Sequence, residues 1–320
     1  MIAEPGERWQ QAYLGSLAAD ALAMPVHWYY DTVALRRDYG LVDHFMDPKN
    51  PHPGSILWRS QYHPLNERGD ILRDQAQYWG ERGIHYHQFL KAGENTLNFR
   101  LARELHDLAR EQGGYDPDAW LECYIARMLE PGWHRDTYLE EYHRAFFTRY
   151  AQGKKPRKCG IRDEHIGGLA MVPALSAALA GTSLETLRAK VKEHVGLTHA
   201  HEGVLAAADT LVRILWAVTH GASVRESIRS EAGDWLSGNK ADGWLSQPDE
   251  QVIGARFSPA CYIKDAMPAS LYLAWKYSDD FTGGIVANAM VGGDNCHRGA
   301  VVGSILGAAN RVPECFFLSE

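Results

Sequence analysis

One stretch near the end of the chain concentrates reactive side chains. Val291-Gly292-Gly293 leads into Asp294-Asn295-Cys296-His297, then Arg298 and Gly299. A carboxylate, an amide, a thiol and an imidazole thus follow each other without a gap. A carboxylate can take a proton, steady a cation or ligate a metal. An imidazole exchanges protons near neutral pH, and a thiol next to an imidazole raises the prospect of nucleophilic chemistry. Free N–H groups and the dipole at a helix start add a preference for anions. The same arrangement recurs at Gly93-Glu94-Asn95-Thr96, which opens the helical pattern from Phe99 to Arg110. Either opening can also be no more than a tight turn with Asp294, Asn295, Asn95 or Thr96 as the N-cap.

Around these openings the chain reads as helices. Gly299, Gly303 and Gly307 recur every four residues, so one helix face is nearly flat and a neighbour can come close. Helical spacing covers Arg8–Met24 up to Pro25, and Asp116-Pro117 is a strong start for a helix to Leu129. A helix is expected from Asp136 to Tyr150, others begin at Ser183 and Ser223, the latter ending near Gly238 before a loop over 238–256, and a small-residue helix follows Thr198-His199-Ala200-His201. Pro259–Tyr277 looks helical around Met267-Pro268, and Asp280-Phe281 begins the last pair. Two imidazoles two apart on a helix diverge, so His199 and His201 are a poor metal pair. Residues 26–92 are instead rich in Pro, Gly, His and aromatics. They are expected to form a long irregular insertion with a short hairpin, where His85 and His87 would share one side of a strand. The prediction is an all-α protein, a single compact many-helix domain over residues 1–320 with residues 26–92 as a loop-rich insertion.

Composition narrows the partners. A net charge of −7 with no basic block argues against nucleic acid; Lys154-Lys155-Pro156-Arg157-Lys158 reads as a solvated loop. No apolar run is long enough to span a membrane. The polar start Met1-Ile2-Ala3-Glu4 lacks a signal-peptide core, and five scattered cysteines fit reduced thiols, so a cytoplasmic location is expected.

Four segments in order resemble the ADP-ribosylglycohydrolase family, which includes J1-crystallin-like proteins. Ala19-Asp20-Ala21-Leu22-Ala23-Met24-Pro25 is similar to its early Gly-Asp-Ala-Leu-Gly-x-Pro. Gly93-Glu94-Asn95-Thr96 stands where it carries Thr-Asp-Asp-Thr. Ile166-Gly167-Gly168-Leu169-Ala170-Met171-Val172-Pro173 loosely matches its central Asn-Gly-x-x-Met-Arg-x-x-Pro. Gly292-Gly293-Asp294-Asn295-Cys296-His297 stands for Gly-Gly-Asp-Thr-Asp-Thr. The resemblance implies a small-molecule or ADP-ribosylated substrate, and magnesium held by Glu94, Thr96 and Asp294. Asn95, Cys296 and His297 depart from the pattern. Two carboxylates balance two dications poorly, and thiolate with imidazole prefers zinc.

Three readings stay open. In the first, a hydrolase cleaves a bond to ADP-ribose or a related nucleotide-ribose with one magnesium ion or none. Glu94 or Asp294 is base or cation stabiliser, and His297 or His165 is the acid. The second is an inactive ADP-ribose-binding or crystallin-like protein. The third is different chemistry with Cys296 as nucleophile beside His297. In each, Glu94 and Asp294 are expected to wall one cavity with Asp20 beneath. Asn95, Thr96, Asn295 and Arg298 line it, and Gly167 and Gly168 let backbone approach a pyrophosphate. Trp28, Tyr29, Tyr30, Trp58 and Tyr62 are candidates to stack on a base.

Overall fold

Helix α14 (Asn295–Ala309) is buried on all sides and lies against α1 (Pro5–Ala23), the most extensive helix–helix contact in the protein. The glycine face makes this possible. A Cβ at Gly303 would stand 2.2 Å from the Gly15 carbonyl oxygen, and one at Gly307 would stand 2.3 Å from that of Gln11. No side chain fits at those distances, so the two backbones touch directly. The flat face expected from the four-residue glycine spacing is therefore present, and its neighbour is the first helix of the chain.

The structure, a computed structural model, describes residues 4–317. After α1 come α2 (Thr32–Tyr39), α3 (Leu97–Glu111), α4 (Pro117–Leu129) and α5 (Glu141–Ala151). Then follow α6 (Val172–Ala178), α7 (Leu184–Gly196), α8 (Glu202–Thr219), α9 (Val224–Glu231), α10 (Gly238–Asp242) and α11 (Asp249–Val252). The last three are α12 (Ile263–Lys276), α13 (Phe281–Met290) and α14. Among the described residues there is no sheet, only three isolated bridges. The all-α expectation holds. Helices α6, α8, α12 and α13 pack around the α1–α14 pair, α3 packs on α6, and α7 on α8.

Local chemistry sets the boundaries. Asp116 accepts from the Asp118 N–H with Pro117 in the first turn, Ser183 accepts from Thr186, and Asp280 from Gly283. Ser223 and Glu226 form a capping box. Helix α12 runs through Pro268. Three expectations need correction. Residues 26–92 contain no hairpin; they hold α2, capped by Asp31, and three short 3₁₀ turns. The helix expected from Asp136 starts only at Glu141, because Asp136 is engaged by His87 and the backbone of Thr137 and Tyr138 donates to the Tyr86 carbonyl. The helix begun at Ser223 stops at Glu231, and two short helices occupy the stretch expected to be loop.

The glycine contact yields a stability test. Gly303→Ala should cost about 1–3 kcal/mol or more in urea unfolding, since neither backbone can yield without moving a core helix. Gly6→Ala on the same α1 helix, with nothing within 4 Å of the added carbon, should be neutral or gain up to about 1 kcal/mol. Equal behaviour of the two variants would contradict the close packing.

Candidate functional site

Both glycine-led openings dock on the last turns of α1. Asp20 is fully buried there, and its carboxylate accepts from Asn95 Nδ2 at 2.9 Å, Thr96 N at 2.9 Å and Thr96 Oγ1 at 2.8 Å. Burial nevertheless leaves its pKa raised against those three bonds. Cys296, in the first turn of α14, donates its thiol to the Asp20 backbone oxygen at 3.7 Å. Asp20 thus ties the two motifs together.

Glu94 does not join them. The turn at Gly93, with φ of +85°, swings its side chain outward. There it accepts from the Lys91 N–H at 2.6 Å and pairs with Arg135. Glu94 and Asn95 line a hollow with Lys91, Arg100, Arg103 and Trp133. Asp294 lines a different one. The expected single cavity walled by Glu94 and Asp294 is therefore replaced by two separate hollows, and Asp20 lies under neither acid as a free group.

The hollow that holds Asp294 is a cleft of about 390 Å³. Its walls include Trp28, Tyr86, Tyr138 and Tyr262, with Arg59 and Arg144 among the cations and Glu140 as a second carboxylate. His165 and Cys261 complete one side. The irregular 26–92 segment and the strap before α5 supply most of these side chains, as a long functional loop would. Trp28 has a φ of +61°, unusual for a bulky residue, and its ring stacks on His27 with centroids 3.7 Å apart. Gly292 and Gly293 make the opposite turn. Both have positive φ, and an added Cβ would strike the carbonyl oxygens of Tyr29 and Pro259.

Asp294 sits at the N-cap of α14 but caps nothing. Its Oδ1 lies 2.9 Å from His27 Nε2 and 2.7 Å from His297 Nδ1. Its Oδ2 is buried without a hydrogen-bond partner. The chain of contacts continues inward. His27 Nδ1 is 2.8 Å from His87 Nε2, and His87 Nδ1 is 2.7 Å from Asp136 Oδ1. Outward, His297 Nε2 is 3.3 Å from Glu140 Oε1. Asn98 Nδ2 lies 2.8 Å from both that nitrogen and Glu140 Oε1. One imidazole ring therefore separates Asp294 from Glu140. Burial resists charge here, yet the imidazoles of His297 and His27 hold Asp294 well below the usual carboxylate range. Burial also opposes the His297 cation, but Asp294 and Glu140 together raise its pKa. For His27 burial wins over the pull of Asp294, and its pKa falls to about 3.

The remaining expected site residues have structural partners. Arg298 is buried and donates to Asn288 Oδ1 and to the carbonyls of Asn288, Gly292 and Pro259. It clamps the glycine turn and is not free for a phosphate. Asn295 donates to the carbonyls of Val26 and Ala289. Cys296 reaches neither hollow, and burial pushes its thiol well up, so it is not the nucleophile of the third reading. A Cβ at Gly168 would meet Val204 and His199, which is plain packing. At Gly167 it would meet Glu140 Oε2 at 2.8 Å, so that glycine leaves room for the carboxylate. His85 and His87 are buried, but His85 Nε2 turns to the Pro25 carbonyl.

The chain is matched over residues 1–314 by the family model for ADP-ribosylglycohydrolase. It belongs to the ADP-ribosylglycohydrolase family. The fold agrees with a solved structure described as "ADP-ribosylglycohydrolase-related protein complex", at a TM-score of 0.59 and 19% identity over 99% of this chain and 93% of that one. No curated protein matches it. As an ADP-ribosylglycohydrolase-family chain it lacks the oxygen donors that a pair of magnesium ions requires. Asp20 is consumed by Asn95 and Thr96, Asn95 Oδ1 accepts from Arg103, Glu94 is drawn to Arg135, and a thiol stands at position 296. The residues present do not fit two magnesium ions.

His165 gives a direct test of the cleft's electrostatics. Its Nδ1 lies 2.7 Å from the buried Asp163 Oδ1. Burial opposes its charge, but Asp163, with Cys261 alongside, pushes its pKa up to about 11. The raised value stabilises the fold fully below the ordinary midpoint of about 6.5 and progressively less as pH climbs toward 11. Imidazole NMR shifts of His165 should stay flat from about pH 5 to about pH 9, and Asp163→Asn should restore a midpoint nearer 6.5. A wild-type midpoint near neutral would contradict the pairing.

Proposed function

We propose that this protein hydrolyses a glycosidic bond to ADP-ribose or a related nucleotide-ribose, and that the bond is cut in the aromatic cleft. One observation carries the reading: Asp294 and Glu140 line the same cleft with the His297 ring between them. Cleavage of such a bond passes through an oxocarbenium-like state, which needs a carboxylate beside the sugar and a group that moves a proton. Asp294, held ionised by two imidazoles, is the stabiliser. Glu140, positioned by Asn98 and lining the cleft, gives a proton to the departing group as the glycosidic bond breaks and takes one from the water that adds to the sugar, with His297 alongside. Trp28, Tyr86 and Tyr138 offer faces to a base. Arg59 and Arg144 stand where a phosphate would pair with them, Arg144 fixed by its bond to the Leu139 carbonyl. Glu94 takes no part in this scheme.

A second reading, binding without turnover, draws support from the departures at Asn95 and Cys296 and from the pairing of Glu94 with Arg135. The two are separated by one set of measurements. ADP-ribose should raise the melting temperature, and further as its concentration climbs above Kd. Hydrolysis of ADP-ribosylated arginine or serine peptides should be detectable, and Glu140→Gln should lower kcat about 10²–10⁴-fold with ADP-ribose binding retained. Binding without turnover of any such substrate would select the second reading. A Glu140→Gln variant with full kcat would remove Glu140 from the chemistry.

A further inference from the structure

The Asp136–His87–His27–Asp294 series leads from the protein interior to the floor of the cleft. It contains three close contacts, at 2.7, 2.8 and 2.9 Å. All four side chains are buried, and the series ends at the cleft on Asp294 Oδ1, which His297 Nδ1 also meets at 2.7 Å. Each carboxylate of the series keeps one oxygen without a donor. Asp294 Oδ2 and Asp136 Oδ2 are both buried and unpartnered, at 1% and 0% residue exposure. A buried carboxylate oxygen without a donor is costly.

We propose that His27, Asp294 and His297 bind one divalent transition-metal ion of the zinc class at the floor of the cleft. One ligand atom from each of the three residues lies within 4.8 Å of the others. Small side-chain movements bring such atoms to the roughly 2.0–2.2 Å that zinc takes with imidazole and carboxylate. The donor set of two imidazoles and one carboxylate suits zinc or iron(II) and is wrong for magnesium. The ion accepts the His27 Nε2 lone pair. His27 Nδ1–H then donates to His87 Nε2, and His87 Nδ1–H to Asp136, so both contacts behind the ion have one donor and one acceptor. This is the carboxylate–histidine support that orients metal-bound imidazoles. On the other ligand, His297 Nε2–H turns to Glu140 Oε1, and Asn98 Nδ2 withdraws toward the Glu140 oxygen it already contacts. Because Asp294 also lines the cleft, the ion's open side faces whatever the cleft binds. The inference stands whichever bond the protein cleaves, and whether or not it cleaves one.

The test uses the full chain without a polyhistidine tag, loaded with Zn²⁺ or Co²⁺, freed of excess ion by gel filtration and analysed for metal. One ion per chain should be retained, with Mg²⁺ not retained in a parallel run. The bound Co²⁺ should show visible absorption distinct from that of the aqueous ion. His27→Gln and His297→Gln should each lose the retained ion with the helical circular dichroism unchanged, and the exposed His44→Gln should keep it. His87→Gln, one step behind, should weaken affinity about 10–100-fold. Should either ligand variant fail to fold, the His87→Gln affinity and the Co²⁺ spectrum of the wild type decide. No retained Zn²⁺ or Co²⁺ would overturn the proposal. So would retention unaffected by His27→Gln, His297→Gln and His87→Gln, or a cobalt spectrum like that of the free ion.

Discussion

Direct backbone contact between α1 and α14 is the constraint on which everything else rests. It leaves no room for a side chain at Gly303 or Gly307, and in return it fixes the two ends of the chain as one rigid unit. Asp20 and the Met24–Val26 turn lie at one end of α1, and Asp294 begins α14. Their relative position is therefore set by close-packed backbone rather than by adaptable side chains. That rigidity lets Asp20 hold Thr96 and Asn95 in place, and it brings His27 within bonding distance of Asp294, 267 residues away.

The second constraint is electrostatic. Three imidazoles and three carboxylates form one series that runs from buried Asp136 out to Glu140 at the cleft. Such a series is poor value as a stabilising device, because desolvation offsets most of the Coulomb attraction. Asp294 could have capped α14, and Asn98 could have been an apolar residue on α3. Both are instead turned toward imidazoles, at the floor of a cleft with aromatic walls. Strain at Trp28, in a backbone conformation rare for its size, sits at the same spot. Coincidence of unsatisfied polar atoms, strained backbone and a cleft is the physical mark of a functional site.

Much of the helical framework was legible in the sequence. Four-residue glycine spacing announced the flat helix face, and Asp116-Pro117, Ser183 and Ser223 announced helix starts that exist. Asp20 as a buried acid needing a partner was legible too. The site was read only in part. Asp294, His297 and His165 stand in or beneath the cleft, but Glu94, whose motif resembles theirs, does not. Spacing cannot show that one φ-positive glycine turns Glu94 outward while Asn95 and Thr96 turn inward. Glu140, Asp136 and Asn98 were missed because local pattern placed them within helices or just at their edges, with no periodic break to mark them. His27 and His87 lie in the irregular segment, where no periodicity says which way a side chain points. Their signal was composition alone, since 15 histidines in 320 residues is more than a helical core requires.

A crystal structure of the protein soaked with ADP-ribose tests the central claim most directly, because it asks which hollow takes the ligand. The account predicts density in the cleft, with the ribose between Glu140 and Asp294 and the base against Trp28, Tyr86 or Tyr138. Density in the hollow beside Glu94 and Trp133, with the cleft empty, would contradict it.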